Sequence, residues 1–248
     1  MRKEKIPRQP KVIDNFIVTL NSMGYMLAKP EKYIQSFIDF SAQTLGPVLD
    51  IGAAYGIATI PALKKGAYVI ANDMDERHLN ILKEKVPPTL QKQLEINVGK
   101  MPFDLDFPAG YFSAILASRV LNFIDPHLLS YSFSLIYKWL KPGGKFFYLG
   151  GTPYMGTYRR FLHIYEKNKR EGSEWPGFID NIPDYVPEQR TPHLPQFINL
   201  IDTETLESLM RNAHFNILEM AYVPAEDKHP EDMKLDGREH LGAIAIKE

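Results

Sequence analysis

Apolar positions fall into two regimes along the chain. Before residue 47 they recur at helical spacing. Ile13, Phe16, Ile17 and Leu20 fit i, i+3, i+4, i+7 and predict a short helix, broken at Met23-Gly24. Pro30 opens a second predicted helix, with Ile34, Phe37, Ile38 and Ser41 on one face. Residues 1–46 are therefore expected to form an N-terminal helical segment. From Pro47 onward, short apolar runs alternate with helical ones. Residues 48–51, 68–71, 94–98, 112–117 and 145–149 read as strands. The fourth is nearly all apolar, as a strand buried on both faces would be. Between them lie a helix stopped at Gly66, with Pro61 expected to kink or shorten it, and a helix capped by Asp75 carrying Leu79, Leu82 and Val86. Asp125-Pro126 reads as the N-cap and first position of a third, which carries Leu128, Leu129, Ser132, Leu135, Ile136 and Trp139. Pro142-Gly143-Gly144 reads as the turn into the fifth strand.

Residues 151–200 interrupt this rhythm with a stretch rich in proline and aromatics, and one helix on Tyr158, Phe161, Leu162 and Tyr165. It reads as an insertion over the carboxyl ends of the strands. Asp202 caps a further helix, and residues 215–222 and 241–246 are the last two strands. No crossover helix separates these two, so they should pair antiparallel, with an antiparallel edge strand closing the sheet. The expected fold is α/β: a doubly wound, mainly parallel seven-stranded sheet with an antiparallel last strand. Residues 47–150 form its cofactor-binding core, 151–200 a cap insertion, and 201–248 the C-terminal part of the same core.

Composition narrows the function classes. With 29 Lys and Arg against 30 Asp and Glu, the net charge of −1 argues against a nucleic-acid wrap or a polybasic membrane adsorber. The absence of cysteine excludes disulfides, thiolate metal sites and cysteine nucleophiles. The basic stretch from Met1 to Lys11 is followed by no apolar run of signal-peptide length, and reads as a solvated arm. No stretch is long and apolar enough to span a membrane, so a cytoplasmic location is expected.

The sharpest local feature is Val48-Leu49-Asp50-Ile51-Gly52-Ala53-Ala54-Tyr55-Gly56. Two glycines four apart, after a buried strand and before a helix, make a tight turn that lets a ligand approach the backbone. In open α/β sheets ligands sit at this edge. Asp73 ends the second strand 21 residues after Gly52, where an acid can accept both hydroxyls of a ribose. Asp75 is better placed to cap the following helix. Glycine turn and acid together select a ribose-containing ligand. The alternative for the turn alone is a plain strand-to-helix connection.

The runs VLDIGAAYG, VIANDMD, FSAILASRVLNFIDP and LKPGG, in this order, resemble the class I S-adenosylmethionine-dependent methyltransferases. The resemblance runs from about Pro47 to Gly150, and more loosely to Glu248. It implies a Rossmann-like sheet of seven strands with the seventh antiparallel, and S-adenosyl-L-methionine as cofactor. It places Gly52, Ala53 and Gly56 around the methionine portion, with Asp50 orienting it. Asp73 would hold the ribose, Met74 would pack on adenine, and Ser118 to Asn122 would face the sulfonium. Two positions depart from the family pattern. Lys100 stands where an acid usually accepts from the adenine amino group, which shifts that role to backbone groups such as those of Met101. Ala54 replaces a third glycine, which suits a negative φ. The run Asn/Asp-Pro-Pro-aromatic of the amino-methylating nucleic-acid enzymes is missing after the fourth strand.

Methyl transfer needs positioning more than a fixed catalytic dyad, and a base only if the acceptor is protonated. Arg119, Asn122, His127, Tyr154, Tyr158 and His163 are the polar candidates near the mouth, each of which packing or solvation would equally explain. Asp73-x-Asp75 and Asp104-x-Asp106 could hold a cation, but ribose binding, capping and exposed-loop roles suffice, so no metal is expected. The expected function is methyl transfer to a small organic acceptor. Methyl transfer to a protein or RNA and a non-catalytic cofactor-binding or scaffold role stay open. The neutral 151–200 segment does not favour a nucleic-acid groove, and its aromatics would serve a substrate lid, a homodimer interface or plain core packing.

Overall fold

The structure is a computed structural model that describes residue 10, residues 12–13, 16–225 and 229–248. Apart from Pro10, the basic arm expected at residues 1–11 lies outside the described residues. The chain begins with strands β1 (Val12–Ile13), β2 (Phe16–Val18) and β3 (Tyr25–Leu27), followed by helix α1 (Lys32–Ser41). The alternating region comprises β4 (Val48–Ile51), α2 (Thr59–Lys64), β5 (Val69–Asp73), α3 (Glu76–Lys85), β6 (Leu94–Val98), β7 (Phe112–Ser118), α4 (Pro126–Trp139) and β8 (Leu140–Gly151). Helix α5 (Leu162–Arg170) and the short strands β9 (Phe178–Ile179) and β10 (Ile198–Asn199) follow. Helix α6 (Thr203–Asn212), β11 (Asn216–Val223) and β12 (His240–Ile246) complete it.

Seven strands form the main sheet in the order β11-β12-β8-β7-β4-β5-β6. The five from β8 to β6 run parallel. β12 runs antiparallel to both of its neighbours, β11 and β8. The antiparallel strand is therefore interior, and the expectation of an antiparallel edge strand is corrected: β11 holds that edge. β4 and β5 are buried at every position, and β7 at all but its last. That burial on both faces is why they read as continuous apolar runs. Side chains alternate between two layers: Leu49, Ile51, Ile115 and Ala117 pack on the α4/α6 side, whereas Val48, Ala114 and Leu116 pack with α1, α2 and α3.

Caps set the helix boundaries. The Asp75, Asp125 and Asp202 carboxylates accept from the backbone N–H groups of Arg77, His127 and Thr205 at the starts of α3, α4 and α6. Pro61 falls in the first turn of α2, where its missing N–H costs nothing, and the helix is only six residues long. The chain from Gly52 to Ala58 is turn rather than helix. The fifth strand is longer than expected. It starts at Leu140 and runs through Pro142-Gly143-Gly144, with a register shift against β7 and Gly143 at φ 77°. Those glycines make an irregularity within a strand, not a turn before one.

The predicted helix over residues 13–20 is replaced by a three-stranded antiparallel sheet, β1-β2-β3. Phe16 faces Leu27 and Val18 faces Tyr25 across a hairpin, closed at its tip by Thr19 N–H to the Gly24 carbonyl at 3.1 Å. Ser22 at φ 56° and Gly24 at φ 114° shape the turn. Phe16 and Val18 are buried and Ile17 is half-buried, the period of two of a strand. In residues 151–200 the helix starts at Leu162, after a tight turn at Tyr158. Tyr158, Phe161, Tyr165, Ile179, Ile182, Val186, Ile198 and Leu200 form a small core of their own. Among the described residues no helix is long and apolar enough to cross a membrane.

Candidate active site

The carboxyl ends of β4, β5 and β7 open on a cavity of about 240 Å³. β4 lies between β5 and β7, so the chain leaves it toward one side of the sheet and returns on the other. This is the switch in strand order where α/β sheets bind ligands. Asp50, Gly52, Ala53, Asp73, Met74, Met101, Ser118, Arg119 and Asn122 all line the cavity. Gly56, Tyr154 and His163 do not.

Gly52 sits at φ 69°, and a Cβ there would stand 2.0 Å from Val120 Cγ2. The Val120 side chain packs directly on the Gly52 backbone, an approach that glycine permits. Gly56 has a different reason to be glycine. At φ 85°, its α-hydrogen faces Leu82 on α3, where a Cβ would approach to 2.9 Å. It is a packing position rather than a wall of the cavity. Ala54 adopts φ 45°, not the negative φ expected of it. A left-handed alanine costs about 1–2 kcal/mol. Its N–H donates to Asp73 Oδ2 at 3.0 Å, which holds it there.

The Asp73 carboxylate is buried and largely engaged by the protein. Besides Ala54, it accepts from the Asp75 N–H at 2.9 Å and faces His78 Nδ1 at 3.1 Å. The Leu20 amide donates to His78 Nε2 at 3.0 Å, so Nε2 is the acceptor and Nδ1 carries the proton toward Asp73. Three of about four acceptor sites on Asp73 are thus filled. Asp75 caps α3 as expected, and it also pairs with the Arg77 guanidinium.

Asp50 is buried below this wall, and Thr59 Oγ1 donates to it at 2.6 Å. Burial pushes its carboxyl up to about 7; the Thr59 bond opposes the rise and the neighbouring Asp73 adds to it. A carboxyl so placed favours a cationic ligand, which would restore its charge. The native state therefore binds a proton that the unfolded chain releases between about pH 4 and 7, and that part of the stability is lost as pH rises through this window. We expect the ligand-free stability of Asp50→Asn to rise relative to that of the unchanged protein from pH 4 to 8, by on the order of 4 kcal/mol. Urea denaturation of both proteins across that range checks it. Glu31 and Glu239, each held at about 2, act only below about pH 4.5 and cancel in the comparison.

Of the polar candidates, Asn122 is a clamp. Its amide donates to the carbonyls of Gly151 and Asn199 at 3.0 and 2.7 Å and accepts from the Gly151 N–H at 3.1 Å. It ties β8 to β10 and keeps little capacity for a substrate. Arg119 at φ 56° places its guanidinium against the buried Glu31, 2.6 Å from Oε2. Burial alone would raise the Glu31 carboxyl, but Arg119, aided by His240 and His229, outweighs it and holds it at about 2. Tyr154 lies outside the cavity, edge-on to Tyr165 and Tyr222 with the Arg238 guanidinium 3.5 Å over its ring. His163 is exposed on α5, and His127 is exposed at the start of α4. Lys100 lines the cavity, and its N–H donates to Asp104 at 3.0 Å.

The sequence reading missed the N-terminal wall. Phe16, Thr19, Asn21, Met23 and Tyr25 of the hairpin line the cavity, opposite residues that the motifs identified. Tyr55 Oη donates to the Val18 carbonyl at 3.0 Å, and the Leu20 N–H reaches both Tyr55 Oη and His78. His78 was the one available signal, a histidine on the same buried face as Leu79 and Leu82.

Comparison with known proteins agrees with this geometry. Residues 48–144 match the family model described as "Methyltransferase domain". A 70-residue stretch is 31% identical to magnesium-protoporphyrin O-methyltransferase of Rhodobacter capsulatus, covering 28% of this chain and 30% of that enzyme's length. A methyltransferase from Methanosarcina mazei superposes with a TM-score of 0.62 at 17% identity, over 88% of this chain and 98% of its own. One from Mesorhizobium loti gives 0.61 at 17% identity, over 86% and 95%. The 1,6-didemethyltoxoflavin-N1-methyltransferase of Burkholderia thailandensis, solved with 1,6-didemethyltoxoflavin and S-adenosylhomocysteine, gives 0.55 at 20%, over 88% and 79%. Residues 48–144 thus carry a methyltransferase domain, and the fold is that of the S-adenosylmethionine-dependent methyltransferases. Structures of the same fold were solved with S-adenosylmethionine or S-adenosylhomocysteine bound.

Proposed function

We propose that the protein transfers a methyl group from S-adenosylmethionine to a small organic acceptor held in the walled cavity. The supporting observation is enclosure. Phe16 and Tyr25 from the hairpin, Met155, Tyr158 and Leu194 from residues 151–200, and Met233 from the following loop all face one space with the strand ends. Such a chamber suits a small apolar molecule better than a protein or RNA surface. Residues 151–200 are read as a cap on the acceptor and residues 48–122 as the cofactor floor.

The residues present fit the cofactor. The close approach at Gly52, the remaining acceptor capacity of Asp73, the exposed side of Met74 and the raised Asp50 carboxyl suit a cationic nucleoside ligand. S-adenosylmethionine, when bound, supplies an electrophilic methyl group and a good leaving group. The protein's part is to orient the acceptor and exclude water. Asp50 and Asp73 would hold the cofactor, while Tyr158 and Met155 would shape the acceptor end.

Incubating the protein with methyl-labelled cofactor and a cell extract, then separating by size, tests the reading. Label is expected in the small-molecule fraction. Label in protein or RNA would overturn the choice of acceptor, and no transfer to either fraction would overturn the activity.

A further inference from the structure

Arg119, in the loop after β7, reaches from the cavity wall to a second, buried polar cluster. Its partner Glu31 is 3% exposed, and beside it stand His229 at 3% and His240 at 0%. These come from three separate parts of the chain: the residue before α1, the loop after β11, and the first position of β12. One donor atom from each of Glu31, His229 and His240 lies within 4.8 Å of the others. Glu31 Oε1 stands 3.6 Å from His229 Nε2. The two imidazole rings are 5.2 Å apart.

Neither ring nitrogen of His240 has a hydrogen-bond partner among the described residues. Buried polar atoms are nearly always paired, and an imidazole left with both nitrogens bare is an unmet demand for a ligand. A neutral imidazole is the form that coordinates metals.

We propose that Glu31, His229 and His240 bind a divalent transition-metal ion of the zinc type. Two imidazole nitrogens and one carboxylate oxygen are a donor set that zinc accepts while keeping a position open. Arg119 holds the other Glu31 oxygen, as an outer partner fixes a ligating carboxylate. With the guanidinium so near and only one carboxylate in the set, the open position favours an anionic oxygen ligand. Arg119 also lines the cavity, so the ion would sit against the chamber that holds the acceptor. The spacing of positions 31, 229 and 240 forms no sequence motif, which is why the sequence pointed away from a metal.

The full-length protein, stripped with a chelator, is titrated with Zn²⁺ by calorimetry and with Co²⁺ by visible absorption. One equivalent is expected to bind, with the d–d bands of a low-coordinate cobalt site. His240→Ala and Glu31→Gln should each weaken binding at least about 10-fold. His163→Ala, on the exposed face of α5, should leave it unchanged. Should a buried variant not fold, X-ray absorption on the zinc-loaded wild type decides instead, with two imidazoles and an oxygen expected around the ion. No saturable binding by folded wild-type protein, equal affinity in the folded variants, or a different ligand shell would overturn the site. Each readout is independent of methyl transfer, so its failure leaves the proposed activity standing.

Discussion

Gly52→Ala is expected to abolish cofactor binding and to lower stability by about 2–5 kcal/mol. The backbone contributes about 1–2 kcal/mol, because position 52 sits at φ 69°. The overlap contributes about 1–3 kcal/mol more, because the new methyl would stand 2.0 Å from Val120 Cγ2. To relieve the overlap Val120 must shift, and it sits in the loop that carries Ser118 and Arg119 to the cavity. Denaturation and calorimetry with S-adenosylhomocysteine measure the two effects separately. The matching change at Gly56 gives a contrast. Its methyl would meet the end of the Leu82 side chain, so stability should fall while the folded fraction still binds. Equal loss of binding in both variants would contradict the distinction between a cavity glycine and a packing glycine.

Asp73→Ala is expected to weaken cofactor binding at least about 10-fold, and also to destabilise the protein by about 2–4 kcal/mol. The sequence alone suggested a carboxylate that accepts from the hydroxyls of a ribose. The structure adds three donors that the same group satisfies: the N–H groups of Ala54 and Asp75 and the His78 ring. Truncation strands the Ala54 amide and the His78 ring in a buried place, and releases Ala54 from the left-handed conformation that its hydrogen bond stabilises. Urea denaturation without ligand, set beside calorimetric titration, checks both effects. Weakened binding with unchanged stability would mean that the carboxylate points at the ligand and not at its own loop.

What the sequence disclosed follows from how each segment is stabilised. β4 and β7 were legible because burial on both faces demands an unbroken apolar run. The starts of α3, α4 and α6 were legible because their caps are local: an aspartate and a backbone N–H two or three residues on. The hairpin over residues 16–27 was not. Phe16 and Leu20 share a face in a helix and have the same parity in a strand, so spacing alone did not separate the two. The decision lay in Ser22 and Gly24 and in distant partners at Tyr55 and His78. The site divides in the same way. Gly52 and Asp73 lie in short motifs at strand ends, whereas the roles of Asn122 and Arg119 depend on what the chain brings to them from residues 151, 199 and 31. A side-chain amide on a loop reads the same in sequence whether it meets a substrate or two carbonyls.

The place of β12 bears on how the molecule is made. Its residues 240–246 pair on one side with 145–151 of β8 and on the other with 216–223 of β11. Synthesis delivers both neighbours first. While the chain is emerging, β8 carries an open edge containing Phe146, Phe147 and Tyr148, and β11 has no sheet to join. An unpaired apolar edge is the feature that recruits other chains. The sheet is closed by inserting a late strand between two early ones, a long-range pairing that costs loop entropy before it is rewarded. A chain truncated before residue 240 would therefore expose a sticky β8 edge rather than form a shortened native protein.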